Sequence, residues 1–145
     1  MKLIQKKQDY IIIIGCGRLG ANLANTLSDN NGNVLIMDTC RDSFRRLSSD
    51  FGGLSVVGSG TDLKALEDVG IQKASAVIAV TNDDNTNIMI VQLARDLFHV
   101  SRVIARLYDP DRESVYQELG IATICPAILS AKEVDKLLEN CGKDE

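Results

Sequence analysis

The stretch that decides the fold reads Tyr10-Ile11-Ile12-Ile13-Ile14-Gly15-Cys16-Gly17-Arg18-Leu19-Gly20. Its first five residues form an apolar, mostly β-branched run, which is typical of a strand buried on both faces of a parallel sheet. The next six residues are G-x-G-x-x-G, and apolar residues then recur at helical spacing as far as Leu27. A glycine-rich turn between a buried strand and a helix predicts the phosphate-binding turn of a dinucleotide-binding α/β fold.

The three glycines of this turn have separate physical roles. Gly15 allows the tight turn, Gly17 lets the backbone approach a pyrophosphate, and Gly20 lets the helix pack closely on the strand. The helix N-terminus adds unsatisfied N–H groups and the positive end of the helix dipole. Asp38 ends the next apolar run, where a carboxylate accepts hydrogen bonds from ribose hydroxyls and repels a 2′-phosphate. The pattern favours NAD or adenosine nucleotides over NADP; the alternative is a packing turn with an ordinary surface aspartate.

Arg18 lies inside the turn, where a cation is disfavoured by the dipole of its own helix. A guanidinium at this position can pair with two phosphate oxygens at once. We therefore predict a phosphate contact for Arg18, with a solvated first-turn arginine as the alternative.

The rest of the chain alternates strand-like and helix-like segments. The predicted strands are residues 10–14, 34–37, 54–57, 76–80, 103–105 and 122–125. The predicted helices follow them: one ending at residues 30–33, then 42–49, about 63–69, 84–98, about 109–120, and a last helix that Pro126 opens. This order predicts a Rossmann-like, doubly wound α/β domain, in which helices cover both faces of a parallel six-stranded sheet.

The sequence predicts a single domain at residues 10–140. An N-terminal arm at residues 1–9 precedes it and a tail at residues 141–145 follows it. The final helix is predicted at about residues 127–140.

Length and composition restrict the classes of function. The chain has 145 residues, which suits one domain, and 16 Lys and Arg against 20 Asp and Glu. A net charge of −4 with 4% aromatic residues argues against binding to nucleic acid. The longest apolar runs fall far short of the ~20 residues of a membrane span, and no signal peptide is visible, so we expect a soluble cytoplasmic protein. Four cysteines without C-x-x-C spacing favour reduced, mostly buried thiols over disulfides or a metal site.

Polar residues follow the predicted third, fourth and fifth strands. Ligands of open α/β sheets lie outside the carboxyl ends of the strands, near the point where the strand order reverses. The candidates for contacts with adenine or ribose are therefore Ser59, Thr61, Asp62, Thr81 and Asn82. Arg106 is a candidate for a phosphate or an interdomain contact. Helix capping explains the threonine and aspartate at 61–62 almost as well, and we expect Asp83 and Asp84 to be capping residues.

No catalytic constellation is visible. Hydride transfer usually needs a positioned acid or base, and the single histidine, His99, lies at the predicted end of a helix. The chain has no Ser/His/Asp set, no H-E-x-x-H and no Walker lysine. We therefore expect a binding protein rather than an enzyme. Two alternatives stay open: the cofactor-binding half of an NAD-dependent oxidoreductase, and a dinucleotide-responsive redox regulator that binds another protein or DNA.

Six blocks in fixed order resemble the RCK (KTN, or Trk-N) nucleotide-binding domain. They are G-C-G-R-L-G at 15–20, V-L-I-M-D at 34–38, V-G-S-G-T-D at 57–62, A-V-I-A-V-T-N-D-D-N-T-N at 76–87, V-I-A-R-L-Y-D-P at 103–110 and L-G-I-A-T-I-C-P at 119–126. RCK domains are cytoplasmic regulatory parts of bacterial Trk/Ktr potassium uptake systems and of related potassium channels. The resemblance implies a regulatory ligand, NAD(H) or an adenine nucleotide such as ATP, ADP or AMP, that changes conformation without turnover.

The resemblance also implies which residues bind the nucleotide. The predicted set is Gly15, Gly17, Arg18, Leu19, Gly20, Asp38, Thr39, Ser59, Gly60, Thr61, Asp62, Thr81, Asn82 and Arg106. No catalytic residue is predicted. Some relatives bind a divalent cation through a glutamate just after the proline at position 126, and Ala127 occupies that position here, so no metal site is expected.

Family members form dimers that assemble into rings beneath a membrane pore. The final helix carries a stripe at helical spacing, Ala127, Ala131, Val134, Leu138 and Cys141, which could be core or could pack on a partner subunit. The resemblance implies a homodimer within a ring, a membrane potassium-translocating subunit as partner, and a location at the inner face of the plasma membrane.

Overall fold

The computed structural model describes residues 9–141 and forms an α/β domain. The strands are β1 (Tyr10–Ile14), β2 (Asn33–Asp38), β3 (Leu54–Val57), β4 (Ala76–Ala79), β5 (Arg102–Arg106) and β6 (Ala122–Ile124). The helices are α1 (Arg18–Asp29), α2 (Leu63–Asp68), α3 (Asp84–Gln92), α4 (Glu113–Glu118) and α5 (Pro126–Cys141). The predicted arm, apart from residue 9, and the predicted tail beyond Cys141 lie outside the described residues.

All six strands run parallel in one sheet, in the order β3-β2-β1-β4-β5-β6. β1 lies at the centre, where Ile13 is paired with Ile36 on one side and with Ile78 on the other. The chain leaves β3 at one edge and returns beside β1 as β4, so the strand order reverses between β1 and β4. The prediction of a doubly wound, six-stranded parallel sheet is confirmed.

The central strand is apolar on both faces because a separate core covers each face. Ile13 packs with Ala21 and Ala24 of α1 on one face. Ile12 and Ile14 belong to the larger core on the other face, which includes residues of α2, α3 and α4. All three isoleucines are at most 2% exposed, which explains the continuous apolar run in the sequence.

The structure differs from the sequence prediction mainly in the helices. Residues 42–49 do not form an α-helix; a 3₁₀-helix spans Arg41–Arg46 and ends where Leu47 turns extended. The helix predicted at 84–98 is α-helical only to Gln92 and continues as a π-helical turn, Leu93–Leu97. In that turn the N–H of Phe98 donates to the C=O of Leu93 at 3.2 Å. Hydrophobic spacing indicates a helix at both places but does not distinguish these tighter and wider turns from an α-helix.

The segment predicted as one helix between Asp109 and Gly120 is also divided. A 3₁₀ turn, Pro110–Arg112, precedes the six-residue helix α4. The strands end within one or two residues of the predicted positions, with Val80 and Cys125 just outside β4 and β6.

Helix α5 begins at Pro126 as predicted but contributes no buried residue to the domain. Val134 and Leu138 of the predicted stripe are 55% and 67% exposed, and Leu129 and Leu137 are 54% and 57% exposed. The stripe is therefore not part of the core of residues 9–141. Among the helices of that segment, none combines the length and the apolar character that crossing a membrane requires.

Candidate functional site

A cleft of about 390 Å³ lies at the carboxyl ends of the strands, where the strand order reverses between β1 and β4. The turn Gly15–Gly17 forms its floor. Residues that follow β2 and β3 form one wall, and residues that follow β4 and begin α3 form the other. This volume falls within the ~300–1,000 Å³ of small-molecule sites.

The protein's own packing requires two of the three turn glycines. Gly15 has φ +111°, and a Cβ there would lie 2.7 Å from the carbonyl of Val80. A Cβ at Gly20 would overlap the carbonyl oxygen of Gly15. At Gly17, by contrast, φ is −84° and a Cβ would meet no protein atom within 4 Å. The fold therefore does not explain Gly17, whereas close approach of a ligand to the backbone does.

The N-terminus of α1 meets this floor without a capping side chain. Gly17 is the N-cap residue, and the first turn contains no acidic residue. Because the first N–H groups of a helix have no intrahelical acceptor, they remain available to an anion. The side chain of Arg18 is exposed and lies outside the cleft, in a neighbouring groove that it shares with Arg46, Asn22 and Asn25.

The carboxylate of Asp38 is fixed at the end of β2 by two backbone amides. Its Oδ2 accepts from the N–H of Cys16 at 2.8 Å, and its Oδ1 accepts from the N–H of Cys40 at 2.8 Å. Each carboxylate oxygen retains a further lone-pair site. The half-buried carboxylate thus connects the glycine turn to the loop after β2 and can still accept hydrogen bonds from hydroxyl groups in the cleft.

Three residues of the β2 wall were not predicted: Cys40, Ser43 and Arg46 line the cleft beside Asp38. Arg46 ends the 3₁₀-helix that follows β2. The sequence carried no signal for it, since an arginine in a polar, charged segment resembles any surface arginine.

The thiol of Cys16 is fully buried under the cleft and donates to the C=O of Ser43 at 3.3 Å. Burial, reinforced by the charge of Asp38, raises the pKa of this thiol, and the positive charge of Arg46 partly opposes that rise. Cys16 therefore stays protonated. Of the free cysteines, Cys16 and Cys125 are buried and Cys40 and Cys141 are exposed, so the prediction of mostly buried thiols holds for only half of them.

The residues after β3 divide between the cleft and the next helix. Ser59 and Gly60 line the cleft, and the hydroxyls of Ser59 and Thr61 lie 2.9 Å apart. Asp62 instead caps α2, since its Oδ1 accepts from the N–H groups of Lys64 and Ala65. The capping alternative is confirmed for Asp62.

The opposite wall is formed by Thr81 and Asn82. Asp83 caps α3 by accepting from the N–H of Thr86 at 2.7 Å, and this hydrogen bond lowers the pKa of Asp83. Asp84 has a different role from the predicted cap. Its carboxylate accepts from the N–H groups of Tyr108 and Asp109, at 2.8 and 3.1 Å, and so ties the loop after β5 to α3.

Arg106 supports this wall from behind rather than lining the cleft. It is 7% exposed, and its guanidinium donates to the C=O groups of Val80 and Thr81 at 2.8 and 2.7 Å. The guanidinium carbon lies 4.7 Å from the centre of the Tyr108 ring. Within residues 9–141 its Nε has no hydrogen-bond partner.

The structure places eight of the fourteen predicted binding residues at the cleft. These are Gly15, Gly17, Asp38, Thr39, Ser59, Gly60, Thr81 and Asn82. The other six, Arg18, Leu19, Gly20, Thr61, Asp62 and Arg106, lie beside, beneath or behind it. Among the described residues there is no group of three or more His, Cys, Asp or Glu side chains that could hold a metal ion.

This combination of a 3-2-1-4-5-6 parallel sheet, a glycine turn and an acidic residue at the end of β2 defines a Rossmann-like domain of the dinucleotide-binding class. Within that class, the chain belongs to the TrkA-N domain family, whose sequence profile matches residues 11–126. The resemblance seen in the six sequence blocks is confirmed.

Known relatives and structures agree with this placement. The chain is 42% identical over 135 residues to the Trk system potassium uptake protein TrkA of Streptomyces coelicolor, covering 93% of this chain and 60% of that protein. The chain thus spans about 60% of the length of this relative.

Among solved structures, the GsuK RCK domain has a TM-score of 0.77 and is 27% identical, over 94% of this chain and 29% of that one. The GsuK channel bound to NAD has a TM-score of 0.67 at 22% identity, over 86% and 22% of the two chains. The Shewanella denitrificans Kef CTD in AMP-bound form has a TM-score of 0.77 at 22% identity, over 93% and 83%. The last two likenesses establish the fold alone.

Proposed function

We propose that this chain is the nucleotide-binding regulatory part of a potassium uptake system, with NAD(H) or an adenine nucleotide as its ligand. The observation that carries the proposal is the geometry of Asp38. Its carboxylate is held at the end of β2 by two amides, one of them from the glycine turn, with lone pairs left for ribose hydroxyls. The open α1 N-terminus beside it suits the phosphates.

The comparisons supply the biological setting. The Streptomyces relative is named for potassium uptake, and the similar structures include one channel bound to NAD and one domain bound to AMP. Because the chain covers about 60% of that relative, the transport role is proposed for the assembly in which this domain works. ATP and ADP are the other candidate ligands, since they share the adenosine and phosphate groups that the cleft suits.

Asp38 supports NAD(H) over NADP(H). A 2′-phosphate would bring negative charge next to a carboxylate whose oxygens already accept two hydrogen bonds and cannot donate one. Arg46 lies on the same wall and moderates this repulsion. We therefore expect NAD⁺ to bind more tightly than NADP⁺, and calorimetry can measure this difference in affinity.

The proposed role is binding that selects a conformation, without turnover. The cleft walls present backbone groups, hydroxyls, an amide, the thiol of Cys40, the guanidinium of Arg46 and the carboxylate of Asp38. Two carboxylates next to the cleft are held in structural hydrogen bonds, because Asp62 and Asp83 cap helices. This arrangement supports a sensor rather than the cofactor-binding half of an oxidoreductase.

The exposed stripe on α5 supports assembly with further copies of the chain. Val134 and Leu138 of the stripe, and Leu129 and Leu137 beside it, are all more than half exposed, and an exposed apolar patch of this kind marks an interaction surface. We propose a homodimer within a ring, associated with a membrane potassium-translocating subunit at the inner face of the plasma membrane.

Isothermal titration calorimetry and thermal shift with NAD⁺, NADH, NADP⁺, ATP, ADP and AMP test the binding proposal. Asp38→Ala should weaken the preferred ligand roughly tenfold to a hundredfold, because charge-assisted hydrogen bonds to the ribose are lost. Asp38→Asn keeps the side-chain volume but leaves one N–H, of Cys16 or Cys40, without an acceptor, so thermal unfolding of both variants monitors the fold. Asp68→Ala, at an exposed position on α2, is the matched control and should bind normally. A folded wild-type chain that binds none of these nucleotides refutes the proposal. A preference for NADP⁺ refutes the proposed role of Asp38 in favouring NAD(H).

The transport role needs a separate test. Deletion of the gene in its own organism should impair potassium uptake, and a neighbouring gene should encode a multi-span pore subunit. Normal uptake in the deletion strain, with nucleotide binding intact in the purified chain, would refute the transport role alone.

A further inference from the structure

Asn87 is fully buried behind the wall of the cleft that follows β4. Its Oδ1 accepts from the backbone N–H of Thr81 at 2.8 Å and from the Thr81 hydroxyl at 2.6 Å. Its Nδ2 donates to the C=O of Thr81 at 3.1 Å and to the C=O of Arg106 at 3.0 Å. All four hydrogen-bonding positions of the amide are used, three of them by a single residue of the cleft.

These contacts determine what Thr81 can offer to a ligand. A backbone N–H only donates, so the atom of Asn87 facing it must be the oxygen, and the Thr81 hydroxyl must give that oxygen its one hydrogen. The C=O of Thr81 is also occupied, by Asn87 and by the guanidinium of Arg106 at 2.7 Å. The Thr81 hydroxyl oxygen itself accepts from the backbone N–H of Asp83 at 3.3 Å, and its remaining lone pair is what Thr81 can offer to the cleft as an acceptor.

A phosphate group, which brings only acceptor oxygens at neutral pH, gains no hydrogen bond from Thr81 in this arrangement. A sugar hydroxyl or an amide N–H does, because each brings a donor. The wall after β4 is thus chemically different from the floor of the cleft, where the α1 N-terminus presents N–H donors.

We infer that Asn87 is a positioning residue that makes Thr81 an acceptor for a hydroxyl or amide donor on the far half of a dinucleotide. The inference rests on the proposed function. A dinucleotide crosses the point where the strand order reverses, so one half lies at β2 and the other at β4. Since Asp38 lies at β2, the half that meets Thr81 is the half that AMP lacks.

The test is calorimetry of the 145-residue chain with NAD⁺ and AMP, using Thr81→Val, Asn87→Ala and the double variant. Thr81→Val keeps the shape and removes the hydroxyl, and it remains informative if the buried Asn87→Ala does not fold. Asn85→Ala is the matched control, because Asn85 lies on the same helix, is exposed, and bonds Arg112 outside the cleft. Thermal unfolding of each variant monitors the fold.

Each single variant should weaken NAD⁺ binding roughly tenfold, because the loss of one hydrogen bond in a partly buried site lowers affinity by about that factor. The affinity for AMP should stay unchanged. The double variant should be no weaker than the weaker-binding single variant, because Asn87 acts through Thr81. Equal weakening of NAD⁺ and AMP would reveal a merely structural role and overturn the inference, as would normal NAD⁺ binding by Thr81→Val. A wild-type chain that binds AMP but not NAD⁺ overturns this inference alone. A chain that binds neither also overturns it, and the proposed function is refuted as well only if NADH, NADP⁺, ATP and ADP fail to bind.

Discussion

Replacing Gly17 with alanine separates ligand binding from folding more cleanly than replacing either of the other two glycines of the turn. A Cβ at this position meets no protein atom within 4 Å, and φ of −84° is ordinary for alanine. The lower entropy of the unfolded chain favours the variant by about 0.4–1 kcal/mol. The poorer N-cap tendency of alanine costs about as much. The free energy of unfolding should therefore stay within about 0.5 kcal/mol of wild type.

Nucleotide binding should respond quite differently to the same methyl group. A phosphate oxygen that accepts from an amide of the turn lies ~2.9 Å from the nitrogen, so the added methyl occupies the space along which the phosphate approaches. Loss of one charge-assisted hydrogen bond costs about 1.5–3 kcal/mol, which is roughly a tenfold to hundredfold drop in affinity. The affinities for NAD⁺ and for AMP should fall by similar factors, because both ligands place a phosphate over the turn.

Calorimetry and thermal denaturation of three glycine variants check this reasoning. Gly52→Ala is the control for an added methyl outside the cleft, since its Cβ would lie 3.5 Å from the nearest atom, Ser28 Oγ. Gly20→Ala should fail to fold stably, because its Cβ would overlap the Gly15 carbonyl. Unchanged nucleotide affinity in a folded Gly17→Ala chain would show that the phosphates do not lie over the α1 N-terminus. A fall in melting temperature as large as that of Gly20→Ala would contradict the open space at Gly17.

Three further outcomes are expected. Asp62→Ala removes the acceptor that caps α2 and should lower the free energy of unfolding by about 1 kcal/mol in chemical denaturation. Burial raises the pKa of Cys16 and Tyr10 in the folded chain, so the unfolded chain loses these protons at lower pH. The free energy of unfolding should therefore be constant near neutral pH and fall as the pH rises through about 9 and above. The fall should be shallower in Cys16→Ala, as chemical denaturation at several pH values would show. Leu138→Glu should reduce self-association in sedimentation experiments without lowering the melting temperature, because Leu138 is 67% exposed; an unchanged oligomeric state would rule out α5 as the contact.

The parts of the fold that could be predicted from sequence are those encoded by neighbouring residues. Residues 12–14 of β1 and 34–37 of β2 are buried, so the apolar runs that contain them mark these strands directly. Asp38 and the glycine turn could be placed because each ends a strand, and strand ends meet at one edge of a parallel sheet. Asp62 and Asp83 were recognisable as caps from their positions before helices.

The remaining features depend on contacts between distant segments. In the sequence, Asn87 looks like any polar residue of a helix. In the structure it is fully buried and bonds residues 6 and 19 positions away in the chain. Arg106 is drawn inward by two carbonyl groups about 25 residues earlier, and Arg46 reaches the cleft because its 3₁₀-helix packs beside α1. No periodic pattern in the sequence marks these contacts. The sequence could therefore indicate Arg106 as a site residue, but it could not predict that Arg106 lies behind the wall of the cleft.

The rigidity of the cleft restricts how it could act as a sensor. Asp38 is held by two amides and Thr81 by two buried side chains, so both walls are set before a ligand arrives. A ligand that contacts only preset walls binds every arrangement of the assembled domains equally, and equal affinity shifts no equilibrium. Moving a two-state assembly from 1:99 to 99:1 requires ~5.5 kcal/mol of differential binding. That difference must therefore come from contacts outside the walls, and the exposed Arg18 in the groove beside the cleft is one residue placed to supply it.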